Sequence, residues 1–268
     1  MPDTFEPGTG LRFVELSHPW GHGIPVWPGD ADVKLERAVN HAKDGVMSQK
    51  LIANMHCSTH MNAPIHLIQG GAYVGQLPID RFFGNGVILS IPKARWESVT
   101  ADDLAAATPR VEPGDIVLIV TGWHLKYSDS QEYFGEAPGL SLGAADWLVA
   151  RGAHLVGMDT PAIDHPLATS LGLQRNGPLM RRLPQKYRTE QGRDPKQAFP
   201  DWNPAHRRLL SAGIPTIENV GGDVRELLGT RCTIHALPWR WMDGDACVIR
   251  LMAIIDPGGS YRIEAGAR

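Results

Sequence analysis

Short runs of consecutive apolar residues, rich in Val and Ile, recur along the chain and are typical of buried β-strands. Turn-forming residues flank each run, as expected where strands end. The runs are GVILSI (86–91), DIVLIV (115–120), HLVGM (154–158), CTIHAL (232–237) and CVIRLMAII (247–255).

Three further segments carry the signals of helices. Residues 100–107 open with a Thr N-cap and an acidic first turn, and residues 141–152 run from a Ser N-cap to an Arg-Gly stop. Residues 203–213 begin with Asn203 as N-cap and Pro204 at the first helical position. Strands and helices therefore alternate, which predicts an α/β fold. No repeat or linker divides the chain, so a single domain over residues 1–268 is predicted.

The stretch 171–202 departs from this pattern. It is polar and basic, and it is broken by Pro184, Pro195 and Pro200. About thirty residues without a core element are unusual within a compact domain. We expect an excursion over the surface that closes over the pocket as a lid or contacts a partner subunit; the alternative is a solvated loop.

Composition and charge narrow the classes of partner. Hydrophobic residues make up 43% and charged residues 21% of the chain, and the net charge is −3 with no run of Lys or Arg longer than two. We therefore expect no nucleic-acid or membrane partner, and a small molecule instead. The first residues lack the basic and apolar segments of a secretory signal, and the three cysteines form no CxxC pair, so a cytoplasmic location is expected.

The segment HCSTHMNAPIH (56–66) holds three histidines, an asparagine and a proline. His56 and His60 reach one ion only if the chain turns between them, since an extended chain would separate them by roughly 13 Å. Beyond His60, Pro64 disfavours a regular helix, so an extended continuation is predicted. One turn followed by a strand would direct His56, His60 and Asn62 to a common point. His66 would lie farther out. Three histidines among few apolar neighbours indicate a metal site.

A second segment, HRRLLSAGIPTIENVGG (206–222), places His206 on the last predicted helix and Glu218 at the end of a strand-like run. Glu218 follows apolar residues, so its carboxylate enters a poorly solvated place and needs a positive partner. A metal ion would meet that need. The alternatives are a Glu218 paired with an arginine and a solvent-exposed His206.

These residues match a known family. Residues 56–66 resemble the HxGTHxDxPxH signature of the cyclase-like metal-dependent hydrolases, which include kynurenine formamidase and isatin hydrolase. The similarity covers most of the chain and extends to VELSHPWGHGIPVWPGD (14–30), GDIVLIVTGW (114–123), LVGMDTPAID (155–164), HRRLLSAGIPTIENV (206–220) and LPWRWMDGDACVIRLMAII (237–255).

The resemblance implies a swivelling β/β/α architecture and a homo-oligomer, either a homodimer or a homotetramer. It also implies a role for His66 in proton transfer. The residues that it implies as metal ligands or candidate ligands are His56, His60, Asn62, His206 and Glu218.

Two positions depart from the signature, since Ser58 stands where the family has glycine and Asn62 where it has aspartate. The first is expected only to tighten the loop. The second bears on the chemistry, because an aspartate can bridge two cations whereas an amide offers one neutral carbonyl oxygen. We therefore expect one divalent ion per chain, Zn²⁺ because the ligands are rich in nitrogen, with Mn²⁺ as the alternative. With one ion, Glu218 would be either a ligand or the general base.

The chemistry that fits this site is hydrolysis of a C–N bond in a small amide that is not a peptide. The ion would activate a water molecule for attack on a carbonyl group, and His66 would protonate the departing nitrogen. Two rival classes are a Cys57 nucleophile activated by a neighbouring histidine and a non-catalytic binding protein in which the metal is a structural staple.

Aromatic residues bear on the substrate. Trp27, Phe82 and Trp239 are candidates for apolar walls around a flat or cyclic molecule, and their alternative is a place in the core. A compact cyclic amide, either an isatin-like ring or a small γ-lactam, is expected. The alternative substrate, N-formylkynurenine, would need an ion-pairing group near the pocket, and no segment indicates one.

Overall fold

The structure, a computed structural model, describes residues 4–5, 10–171 and 182–259. The strands in these residues are β1 (Thr4–Phe5), β2 (Arg12–Glu15), β3 (Lys34–Val39), β4 (Ser48–Ile52), β5 (His60–Asn62), β6 (Phe83–Ser90), β7 (Ser98–Val99), β8 (Ile116–Val120), β9 (Gly139–Leu140), β10 (Leu155–Met158), β11 (Thr216–Glu218), β12 (Thr230–His235), β13 (Ala246–Val248) and β14 (Met252–Ile255). The α-helices are α1 (His41–Asp44), α2 (Ala101–Ala106), α3 (Gln131–Gly135), α4 (Leu142–Arg151), α5 (Leu183–Gln191), α6 (Pro195–Ala198) and α7 (Pro204–Ser211). Short 3₁₀ helices span Pro64–His66, Val74–Gln76, Ile79–Phe82, Trp123–Lys126, Pro166–Ala168 and Val224–Leu227.

Ten of the strands form one mixed sheet in the order β1-β2-β14-β12-β6-β8-β10-β11-β5-β13. The neighbours β6, β8, β10 and β11 run parallel, and helices lie in the connections between them, as parallel pairing requires. Antiparallel strands extend the sheet on both sides. The predicted α/β fold is therefore confirmed.

The predicted apolar runs and helices occur where the sequence placed them, with one exception. The run 247–255 is divided into β13 and β14, which belong to different parts of the sheet: β13 pairs with β5, whereas β14 pairs with β2 and β12. Within the described part of the chain, no helix has the length and apolar composition needed to cross a membrane.

Alternate residues of the central strands pack on opposite faces of the sheet. In β8, Ile116, Leu118 and Val120 belong to the apolar cluster on one face. Val117 and Ile119 belong to the cluster on the other face, to which α2, α4 and α7 contribute buried leucines. All five residues of β8 are buried, which explains why its sequence is continuously apolar.

Part of the predicted surface excursion 171–202 is docked on the body of the protein. Residues 172–181 lie outside the described residues, and α5 and α6 follow them. Leu183 and Tyr187 of α5 are buried in a third apolar cluster, which includes Trp96. The expectation of a segment without a core element is therefore wrong for α5, because two apolar residues four positions apart form one stripe along a helix.

We predict that Gly139→Ala destabilises the protein. A Cβ atom on Gly139 would lie 2.1 Å from the backbone nitrogen of His165, so the two segments would have to separate, at a cost of about 1–3 kcal/mol. The control is Gly143→Ala in α4, where a Cβ atom meets nothing within 4 Å and where alanine favours the helix by up to about 1 kcal/mol. Urea unfolding should give a lower midpoint for the first variant and an equal or higher midpoint for the second. Equal midpoints for Gly139→Ala and the wild type would contradict the prediction.

Candidate metal centre

The strand β5 carries the middle of the histidine cluster and lies between β11 and β13. His60 is paired with Glu218 of β11, and Asn62 is paired with Thr216 of β11 and with Ala246 of β13. Side chains paired across strands share a face of the sheet, as do side chains two residues apart along a strand. His60, Asn62 and Glu218 therefore point to the same side.

A tight turn before β5 brings His56 and His60 together, with 5.4 Å between their ring centroids. Ser58 forms the turn with a φ of 56°, in the left-handed region where glycine is favoured. The carbonyl oxygen of Ser58 accepts hydrogen bonds of 2.9 Å from Nδ1 of His60 and from Nδ2 of Asn219. The predicted turn is confirmed. Ser58 does more than tighten the loop, because it holds a conformation that costs about 1–2 kcal/mol for a residue with a Cβ atom.

After β5 the chain turns back instead of continuing extended. Pro64 is at the first position of the 3₁₀ helix Pro64–His66, where the fixed φ of proline fits. The ring centroid of His66 lies 4.2 Å from that of His56 as a result. The prediction of an extended continuation with His66 farther out is wrong, because proline excludes the interior of a helix but not its start.

His206 enters the site from α7, whose start is fixed by a residue outside the helix. Asn203 occupies the predicted N-cap position, but its φ is 47° and its side chain makes no capping hydrogen bond. The carboxylate of Asp164 instead accepts hydrogen bonds from the backbone N–H groups of Ala205 and His206, at 2.8 and 2.9 Å. Nε2 of His206 lies 2.7 Å from Oγ1 of Thr216, which orients the ring.

Glu218 is buried between two of the histidines. Its Oε2 lies 3.1 Å from Nε2 of His60, and its Oε1 lies 3.7 Å from Nδ1 of His206. Oε1 also accepts a hydrogen bond of 3.1 Å from the N–H of Ile163. Burial alone would raise the pKa of Glu218, but the nearby His60, His206 and His66 outweigh it and hold the pKa at about 2. The alternatives of an arginine partner for Glu218 and an exposed His206 are wrong, since His206 is buried and burial lowers its pKa to about 3.

Asp245, which the sequence analysis missed, completes a second group of ligand atoms. Its Oδ2 lies 2.8 Å from Nε2 of His56 and 3.5 Å from Nδ1 of His66. Among the described residues, this is the one set of three His, Cys, Asp or Glu residues whose ligand atoms all lie within 4.8 Å of one another. The hydrogen bonds from His56 and His66 hold the pKa of Asp245 well below its usual range. No local signal distinguishes Asp245 from Asp243; only the pairing of β13 with β5 does.

Two buried polar atoms show that the cluster fits a cation. Nε2 of His60 and Oδ1 of Asn62 have no hydrogen-bond partner in the described part of the chain. Nδ1 of His60 donates to the carbonyl oxygen of Ser58, which leaves Nε2 facing the carboxylate of Glu218 at 3.1 Å without the geometry of a hydrogen bond. A cation between this ring nitrogen and the carboxylate would satisfy both atoms. Imidazole nitrogens with carboxylate and amide oxygens suit a divalent ion such as Zn²⁺ or Mn²⁺.

A cavity of about 330 Å³ opens beside this cluster. Trp27 lines it as predicted and is held there by a hydrogen bond of 3.1 Å from its Nε1 to Oγ of Ser170. Trp202, at the end of the excursion, forms another aromatic wall. The full lining is Trp27, Asp30, Asn54, His56, His66, Leu67, Pro161, Ala162, Thr169, Ser170, Trp202, Asn203, His206 and Glu218.

Two of the predicted aromatic residues do not line the cavity. Phe82 is 3% exposed and packs in the main apolar cluster, because it ends a 3₁₀ helix whose inner side faces the core. Trp239 is 60% exposed and stacks on Trp241 in the loop that follows β12. Aromatic composition alone does not separate core, cavity and surface positions.

Cys57 lies next to the cluster, but its thiol is already hydrogen-bonded. Its Sγ donates a hydrogen bond of 2.8 Å to the carbonyl oxygen of Asn54 and accepts one of 3.3 Å from Nε1 of Trp20. Burial raises the pKa of the Cys57 thiol. This is the environment of an inert thiol, whereas a nucleophile needs a lowered pKa.

Comparisons with known proteins identify the family and the fold of the chain. The model of the cyclase family matches residues 14–165, more than half of the chain. A crystal structure of an isatin hydrolase bound to the product analogue thioisatinate superposes with a TM-score of 0.73 at 17% identity, covering 92% of this chain and 93% of that chain. Isatin hydrolase A from Ralstonia solanacearum gives a TM-score of 0.70 at 20% identity, covering 92% and 93%.

A third solved structure, of a potential metal-dependent hydrolase with cyclase activity, gives a TM-score of 0.65 at 20% identity, covering 91% of this chain and 98% of that chain. At these identities the similarity establishes a shared fold. The architecture that the resemblance implied is thereby confirmed.

Proposed function

Because the chain belongs to the cyclase family, we propose that it is a metal-dependent hydrolase that opens the C–N bond of a small cyclic amide. The strongest support is the position of the unpartnered Nε2 of His60 and Oδ1 of Asn62 within a cluster that forms one wall of the cavity. The solved structures of the same fold include hydrolases described as metal-dependent and isatin hydrolases, which favours the same class of reaction here.

In this proposal, the ion is held by His56, His60, Asn62 and Glu218. When bound, a divalent ion lowers the pKa of a water molecule toward about 7 and polarises a carbonyl oxygen. His206 lies on the other side of Glu218 and holds the carboxylate toward His60. Glu218 is thus assigned as a ligand and not as a general base, because its Oε2 faces a ring nitrogen that has no other partner. Zn²⁺ is proposed for the nitrogen-rich set, with Mn²⁺ as the alternative.

We assign proton transfer to His66. Its side chain lines the cavity and is 27% exposed, more than those of His56 and His60, so it is the one of the three most accessible to a substrate. The ring is held beside the ion-binding residues by the 3.5 Å contact between its Nδ1 and Oδ2 of Asp245. From there His66 can protonate the nitrogen that leaves when the amide bond breaks.

The cavity favours a compact substrate. A volume of about 330 Å³ is at the small end for ligand sites, and Trp27 and Trp202 offer flat walls to a ring. No Lys or Arg is among the described residues that line it, so a substrate carboxylate finds no cationic partner there. A cyclic amide, either an isatin-like ring or a γ-lactam, fits these walls best.

One observation favours N-formylkynurenine as a second candidate. Asp30 lines the cavity, and its Oδ2 accepts a hydrogen bond of 3.0 Å from Nδ2 of Asn54. A carboxylate in this place could pair with the ammonium group of an amino acid. The expectation that the pocket lacks an ion-pairing group is therefore wrong, because Asp30 reaches the pocket from a turn far from residues 56–66 in sequence.

We also propose that the protein is a homodimer or homotetramer, as the family resemblance implies. Trp239, Trp241 and Met242 are all exposed in one loop and form an apolar surface of the kind that association covers.

The first prediction concerns the number of ions. Because the neutral amide of Asn62 cannot bridge two cations, protein purified without added metal should contain about one divalent ion per chain by elemental analysis. Asn62→Asp should raise the count. Chelation should abolish turnover while the circular dichroism spectrum is retained, whereas a structural staple would unfold. Two ions per wild-type chain would rule out the single-ion site.

The second prediction separates two histidine roles. His60→Ala should lose both the ion and activity, because it removes a ligand. His66→Ala should retain the ion and lose about 10²- to 10⁴-fold in kcat, because it removes the proton donor. His41→Ala, on the exposed helix α1, serves as the control and should match the wild type in both measurements. Loss of the ion from His66→Ala would show that His66 is a ligand instead.

The third prediction concerns the substrate. Isatin, a bicyclic γ-lactam and N-formylkynurenine should be assayed with Zn²⁺ and with Mn²⁺, and kcat/KM is expected to be highest for one of the rings. Asp30→Asn should leave the rates on the rings within about twofold, since neither ring carries an ammonium group. A kcat/KM for the formamide more than tenfold above both rings, and lost in Asp30→Asn, would reverse the assignment.

A further inference from the structure

Asn62 places a neutral amide at the site, at the position where the family signature has a carboxylate. The amide of Asn62 presents one neutral oxygen, and Oδ1 is fully buried without a hydrogen-bond partner in the described residues. Its Nδ2 makes a long contact of 3.5 Å with Oγ1 of Thr216. A divalent ion at this point would meet the imidazole rings of His56 and His60 but only one negative side chain from β5 and β11, that of Glu218.

Asp245 brings a second carboxylate to the same place from the adjacent strand. The N–H of Ala63 donates a hydrogen bond of 2.9 Å to the carbonyl oxygen of Asp245, and the next residue, Ala246, is paired with Asn62. The backbone at position 245 is therefore fixed beside the backbone at position 62. A carboxylate at either position is directed to the histidine cluster.

The spacing of the ligand atoms suits an ion. Oδ2 of Asp245 is 2.8 Å from Nε2 of His56. Oε2 of Glu218 is 3.1 Å from Nε2 of His60. Atoms that bind one ion at about 2.0–2.2 Å lie roughly 3–3.5 Å from one another. The contact between Glu218 and His60 has this length, and Asp245 and His56 would separate slightly to admit the ion. A simple ion pair would instead require His56 to carry a proton.

We propose that Asp245 is a ligand of the divalent ion together with His56, and that it supplies the carboxylate that Asn62 cannot. The assignment rests on the proposed metal-dependent function. Asp245 then also positions His66, whose Nδ1 is 3.5 Å from the same oxygen. The carboxylate is half-exposed, so it is available to an ion that enters from the cavity.

Metal affinity tests this assignment without reference to turnover. The Kd for Zn²⁺ and for Mn²⁺ would be measured by competition with a chelating dye for the wild type, Asp245→Ala, and Asp243→Ala, an exposed aspartate of the same turn. Loss of a residue that only orients a ligand costs about 10- to 100-fold, so loss of a ligand should weaken binding by more than about 100-fold. Asp243→Ala should bind like the wild type.

A compensating double variant provides a second test in case Asp245→Ala folds poorly. Asn62→Asp combined with Asp245→Ala returns one carboxylate to the neighbouring strand and should restore the Kd to within about tenfold of the wild-type value. Weakening of less than about tenfold in Asp245→Ala, or weakening that Asn62→Asp fails to restore, would overturn the assignment. If Asp245→Ala binds like the wild type while His60→Ala does not bind, only the role of Asp245 fails. If the wild type binds neither ion, the proposed function fails as well.

Discussion

The backbone pairing of β5 with β11 and β13 is the constraint on which the site depends. The strand has only three residues, yet it fixes His60 opposite Glu218 and Asn62 beside the segment that carries Asp245. A slip of one residue would turn both polar side chains away and bring Met61, now fully buried in the main apolar cluster, to the histidines. The apolar side of β5 therefore stabilises the register that the polar side needs.

This register buries polar side chains, which destabilises the fold unless each of them has a hydrogen-bond partner. Glu218 meets two imidazole rings and the N–H of Ile163, and Asp164 meets two N–H groups of α7. Asp159, which is fully buried, accepts hydrogen bonds from Thr121, Gly122 and His124. The atoms without a hydrogen-bond partner at the cluster are Nε2 of His60 and Oδ1 of Asn62, both on β5. Two of the unpartnered buried atoms thus lie at the place where a cation would lie.

Local sequence patterns predicted the features that depend on interactions between residues close together along the chain. The apolar runs predicted the central strands, and Asn203, Pro204 and the Ser-to-Gly limits of α4 predicted the helix ends. The spacing of the histidines predicted the turn at Ser58, because two rings four residues apart can meet only across a turn.

The features that could not be predicted from the sequence depend on contacts between residues far apart along the chain. Asp245 reaches the site because β13 pairs with β5, and Asp30 reaches the cavity from a distant turn. The capping of α7 by Asp164 crosses some forty residues of chain, and no local pattern encodes such a contact. The positions of Phe82 and Trp239 could not be predicted for the same reason. Phe82 is buried in the core and Trp239 is exposed on a loop because of neighbours that the sequence does not identify.

The loop after β10 couples the cavity to the ligands without containing a ligand itself. Pro161 and Ala162 line the cavity, while the next two residues hold Glu218 and the start of α7 through Ile163 N–H and the Asp164 carboxylate. A molecule that displaces Pro161 would therefore act on the same short segment that sets the positions of Glu218 and His206. If the ion binds as proposed, occupancy of the cavity and affinity for the ion would be coupled through this segment, and by reciprocity each would change the other by the same factor.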